Sequence, residues 1–122
     1  MKVGLLQLKL QIFRADQLAM SPHRADFLEA LDREGSIAAA ARAMGLSYRA
    51  SWMLVANVNS CWRENLVTTA GSQGRNHGAK LSPFGREVLQ LYRSLEAEME
   101  QSRFSEFANR LACLLHDESE AI

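Results

Sequence analysis

Between Ser47 and Met53 the chain places a hydroxyl, a phenol, a guanidinium, an indole and a thioether close together, on Ser47, Tyr48, Arg49, Trp52 and Met53. On a helix that begins at Tyr48, Arg49 projects from the first turn. A guanidinium there meets the O6 and N7 of guanine as a bidentate pair or clamps a phosphate, and the residue type serves both. Trp52, one turn on, either presses on a thymine methyl or a sugar or belongs to the core, and Met53 stands under the same two alternatives. Ser36 and Ser47 fall at two helix starts, where a hydroxyl and free backbone N–H groups either hold a phosphate or simply cap the helix. Arg42 adds a cation between them. Arg75, His77 and Lys80 lie in and beside a glycine-rich loop, either as contacts to a nucleic-acid backbone or minor groove or as solvated side chains.

Other chemistries find less support. The loop from Gly71 to Gly78 is not followed by Gly-Lys-Ser or Gly-Lys-Thr, so it is no nucleotide-phosphate loop. His23, His77, His116, Cys61 and Cys113 are scattered without metal-ligand spacing, and no nucleophile is paired with a base. Glu96 and Glu98 do not share a helical face. The expectation is a protein that is not an enzyme and takes no metal or cofactor.

Charge sharpens the reading once it is located. The 14 Lys and Arg balance 14 Asp and Glu to a formal net of zero, yet their distribution is uneven. Residues 36–86 hold Arg42, Arg49, Arg63, Arg75, Lys80 and Arg86 against the single acid Glu64, whereas the last third is acidic. A cationic middle is a weak pointer to a polyanion when taken alone.

The elements needed to position these residues are legible. Leu6 to Phe13 alternates apolar and polar, the period of a half-buried strand. Ser21-Pro22 starts a first helix that Gly35 stops. Ser36 caps a short second helix through four alanines to Met44, interrupted by Gly45, and Ser47 caps a third that runs from Tyr48 past Trp62. A helix, a three-residue turn with glycine and a helix with a capping serine form a helix-turn-helix. Leu66–Thr69 and Ala79–Leu81 then read as a hairpin. Ser82-Pro83 opens a long last helix striped by Phe84, Val88, Leu91, Leu95 and Met99, and the stripe breaks step near Gln101, where the helix kinks or a separate terminal helix begins. The fold class is α+β but mostly helical, a winged helix-turn-helix with an N-terminal strand and a long C-terminal dimerisation helix. Residues 1–100 form the winged-helix domain and residues 101–122 a helical extension.

With 122 residues, 48% of them hydrophobic and 23% charged, the chain suits one globular domain. Gln7, Lys9 and Gln11 interrupt any apolar signal core, and no apolar run approaches membrane-spanning length. Two distant cysteines argue against a disulfide framework, so a reducing cytoplasm is expected.

The runs Gly35-Ser36-Ile37 to Ala40-Ala41, Gly45-Leu46-Ser47-Tyr48-Arg49-Ala50-Ser51-Trp52, Leu66-Val67 and Leu81-Ser82-Pro83-Phe84-Gly85 resemble the N-terminal domain of the molybdate-responsive ModE regulators. More broadly they are similar to LysR-type winged helices. The resemblance covers roughly residues 5–100 and implies binding of double-stranded DNA, transcription regulation and pairing through the last helix. Val88, Leu91, Leu95 and Met99 would form that homodimer contact, which the length of the apolar stripe also suggests. The family's molybdate-binding domains have no counterpart before Ile122, so molybdate sensing is not carried over. The wing departs too: Thr69 and Gly71-Ser72-Gln73-Gly74-Arg75-Asn76-His77-Gly78 replace an arginine followed by a denser glycine run. The competing expectation is a winged-helix protein-interaction module that pairs with or modulates another regulator through its acidic final third. An effector site in a separate partner chain is the intermediate case.

Overall fold

A computed structural model describes residues 6–69 and 78–116. Their elements run β1 (Ile12–Arg14), β2 (Gln17–Met20), α1 (Pro22–Glu34), α2 (Ile37–Met44), α3 (Tyr48–Cys61), β3 (Val67–Thr69), β4 (Ala79–Leu81), α4 (Pro83–Ser102) and α5 (Glu106–Leu114). The chain divides into two compact units, one of Gln11–Tyr92 and the other combining residues of 1–10 with residues of 93–122.

Capping chemistry explains where the helices start and stop. The hydroxyls of Ser21, Ser36, Ser47 and Ser105 accept from the backbone N–H groups of Arg24, Ala39, Ala50 and Ala108, each satisfying a donor that the first turn leaves open. Gly35 and Gly45 end α1 and α2 in the left-handed region, at φ of 85° and 69°, where a Cβ would be strained. Ser82 does the same work for α4: its Oγ accepts from the Gly85 N–H at 2.9 Å and donates to the carbonyl of Asn65 at 2.7 Å.

The core of the larger unit is built on α1. Phe27, Leu28 and Leu31 are fully buried, with Met20, Val58 and Leu66 from β2, α3 and the approach to β3. α1 packs on α2 and β4, and α3 packs on α2 and β2. From α4 this core receives Gly85, Val88, Leu89 and Tyr92. The apolar stripe expected on α4 is therefore divided, because Leu91 and Leu95 face outward.

The N-terminal strand is shorter than the alternation suggests. Exposure does alternate from Leu6 to Ile12, yet strand pairing begins only at Ile12 and is made with β2, an element the sequence reading lacks. The pair is antiparallel, Phe13 opposite Leu18 and Arg14 opposite Gln17, and its turn holds Ala15 at a φ of 54°. The third helix also stops earlier than expected. Trp62 turns extended at φ −109°, and its indole N–H donates to the carbonyl of Ala19 at 3.1 Å, so a β2 acceptor takes hold of the residue that would continue the helix.

The wing is as expected at its base and broader. β3 and β4 pair antiparallel with Val67 opposite Leu81, Thr68 opposite Lys80 and Thr69 opposite Ala79. The connection between α1 and α2 joins them: Ser36 bridges Gly78, and the Ala79 N–H donates to the Gly35 carbonyl at 2.9 Å. In the smaller unit, α4 ends at Ser102 and α5 begins after Ser105, which realises the break expected near Gln101 as a separate helix.

Candidate nucleic-acid interface

The turn between α2 and α3 is closed by its own backbone. Gly45 donates to the Arg42 carbonyl at 3.3 Å and Leu46 to the Ala41 carbonyl at 2.9 Å, the paired bonds of a glycine-terminated helix. Ser47 then starts α3 without an intervening loop. Such a tight connection constrains the direction of α3 relative to α2.

Burial along α3 follows one helical phase. Ser51, Leu54, Val55 and Val58 are buried, at spacings of three and four residues. The line diametrically opposite consists of Arg49, Met53, Ala56 and Ser60, all exposed. Tyr48 and Trp52 flank this line on one side, 53% and 41% exposed, with their rings edge to face at a centroid distance of 6.1 Å. Asn57 flanks it on the other and is exposed. The core alternative for Trp52 and Met53 therefore gives way to the surface one, since Met53 is 56% exposed.

The charges of these elements favour an anion over a cation. None of α2, α3, β3 or β4 contains an acidic residue. Arg42 in the last turn of α2, Arg49 in the first turn of α3 and Lys80 on β4 are exposed, and no carboxylate among the described residues pairs with any of them. By contrast, Arg63 lies over the Phe84 ring at 5.7 Å and Arg86 pairs with Asp32 at 3.2 Å, so those two cations are already engaged.

Of the residues expected at the site, Ser47, Tyr48, Arg49, Trp52 and Met53 are gathered on one exposed segment. Ser36 and Ser47 have their hydroxyls committed to capping. The backbone of Ser36 meets the wing at Gly78, and Lys80 shares a groove with Gly35, Thr68, Thr69, Gly78 and Ala79. Arg75 and His77 lie outside the described residues. On α4, Val88 is buried in the chain's own core and Met99 is half-buried, while Leu91 and Leu95 are exposed.

Sequence reasoning missed Ala56, Ser60 and Asn59. The first two follow from counting seven and eleven residues on from Arg49, a phase available before any coordinates. Asn59 fastens α3 to the wing: its Oδ1 accepts from the N–H groups of Leu66 at 2.8 Å and Val67 at 3.0 Å, and its Nδ2 donates to the Val67 carbonyl at 3.2 Å.

No family model matches the chain. Individual proteins do. It is 38% identical over 93 residues to the molybdenum transport protein ModE of Azotobacter vinelandii, covering 76% of this chain and 34% of that protein. It is 34% identical over 100 residues to the transcriptional regulator ModE of Yersinia pestis, covering 82% and 36%. The molybdenum-pterin-binding protein MopB of Rhodobacter capsulatus is 40% identical over 78 residues, covering 64% and 29%. The chain thus spans about a third of the length of these relatives. Among solved structures, full-length LysG of Corynebacterium glutamicum, a LysR-type regulator, superposes with a TM-score of 0.51 at 24% identity over 75% of this chain and 29% of that one, a likeness of fold.

Proposed function

We propose that this chain, a helix-turn-helix domain of the ModE/LysR group, binds double-stranded DNA in a sequence-specific manner and regulates transcription. One observation carries the reading: the outer face of α3 is exposed, bears Arg49 and belongs to a set of elements without a single carboxylate.

In this reading α3 lies in the major groove, Arg49 at its N-terminal end meets a base edge, and Arg42 on α2 meets a phosphate where that helix crosses the backbone. The capped starts of α2 and α3 add the partial positive charge of their helix ends. Lys80, with Arg75 and His77, supplies the wing's contacts to backbone or minor groove. Tyr48 and Trp52 give the flank of α3 a broad, stiff surface for sugar or thymine. Leu91 and Leu95 on α4 are the exposed apolar contacts of a homodimer, which would set two copies of α3 on half-sites about 34 Å apart.

The proposed DNA binding by residues 6–116 requires no molybdate. Gel shifts of random and selected duplexes, at two salt concentrations and with and without molybdate, test the assignment. Four phosphate contacts per subunit give log affinity a slope of about −7 against log salt for the dimer. The absence of a shifted band at both salts would reject DNA binding. It would favour the protein-docking alternative, which has its own support in the exposed Phe107, Leu111 and Leu114 of α5.

A further inference from the structure

The outermost line of α3 has an unusual order of residue types for a face meant to read polar base edges. Arg49 is its one charged member. Met53 and Ala56 follow as exposed apolar side chains, and Ser60 closes the line with its hydroxyl donating to the Asn57 carbonyl at 2.9 Å. The middle of the line thus offers no hydrogen-bonding side chain, and the end offers a donor already committed to its own helix. What the middle does offer is a flexible thioether and a methyl group. In the major groove a single base feature matches them, the C5-methyl of thymine. The small size of Ala56 also lets the helix backbone approach the groove floor more closely than a long side chain would permit.

Resting on the major-groove reading above, we propose that Met53 and Ala56 are specificity-determining residues that recognise thymine methyl groups. The preferred half-site then combines a guanine, met by Arg49, with thymine. From Arg49 to Ala56 the helix rises about 10 Å, which corresponds to about three base pairs at 3.4 Å each, so the guanine and the thymines fall within that span. Arg49 stands on the same outermost line, which favours its guanine contact over the phosphate clamp.

The test uses a duplex selected by the chain from a random pool, with each thymine replaced in turn by deoxyuridine, which removes the methyl and keeps the pairing. Affinity is read by fluorescence anisotropy for the wild type, Met53→Ala and Ala56→Ser, with helicity checked by circular dichroism. The wild type should lose about fourfold at one or more thymines, the effect of withdrawing one methyl group from an apolar contact. Met53→Ala or Ala56→Ser should be insensitive at the corresponding position. If the selected duplex binds with unchanged affinity at every deoxyuridine position, the methyl-reading role is overturned while the major-groove placement stands. If no duplex binds at any salt concentration, both fall.

Discussion

Asn59 shows how much one side chain does to hold α3 against the wing. Its amide closes three hydrogen bonds to the backbone entering β3, so it ties the C-terminal half of α3 to the wing. Replacing it with alanine leaves the N–H groups of Leu66 and Val67 without their acceptor. Leu66 and Val67 are buried, so Asn59→Ala should cost about 2–3 kcal/mol in urea unfolding. A loss under about 0.5 kcal/mol, the range of an ordinary surface substitution, would show that the bonds are not needed. The residue types of Tyr48, Arg49, Trp52 and Met53 marked them as candidates in the sequence, and the structure shows them exposed on α3. Asn59 carried no such mark, because an asparagine inside a helix has no local signature and its partners lie seven and eight residues away across a turn.

Among the elements, those closed by local rules were legible and those closed by tertiary partners were not. Serine caps and stop glycines fixed α1, α2 and the start of α3, since each depends on atoms within four residues. β2 escaped because its strand is only four residues long and it pairs across a turn whose first residue is Ala15, not the glycine that would mark a hairpin. The end of α3 escaped because the acceptor for Trp62 lies in β2, far back in the sequence. Two substitutions check these accounts by thermal or urea unfolding. Ala15→Gly should stabilise the fold by about 0.5–1 kcal/mol, as a left-handed residue loses its Cβ clash while gaining some unfolded-state entropy. A destabilisation there would mean that the turn is not strained. Gly85→Ala should destabilise by about 1–3 kcal/mol, since a Cβ at this position would strike the Leu66 carbonyl where α4 packs against the backbone entering β3. A neutral outcome would show that α4 shifts freely.

For the whole molecule, the decisive pattern is which cations are paired. A net charge of zero conceals that Arg42, Arg49 and Lys80 are exposed with no carboxylate partner among the described residues, while Arg86, Arg93 and Arg103 are paired with Asp32, Glu96 and Glu100. The charge count by region located an excess of bases in residues 36–86, and the structure separates the engaged Arg63 and Arg86 from the exposed Arg42, Arg49 and Lys80. Which apolar residues of α4 remain available to a second copy was not visible, because one periodic stripe serves both the core and the surface. Exposure assigns Leu91 and Leu95 to the surface and Val88 to the core. The double substitution Leu91→Asp with Leu95→Asp should therefore give a monomeric mass by light scattering without loss of folding, and retention of a dimeric mass would remove α4 from the contact.

The central claim, that the exposed face of α3 reads DNA, is tested most directly by equilibrium binding of wild type and Arg49→Ala to a selected duplex and to its single-base variants. The predicted result is a loss of about 1–3 kcal/mol with discrimination relaxed at one base pair. Unchanged affinity together with unchanged discrimination would contradict it.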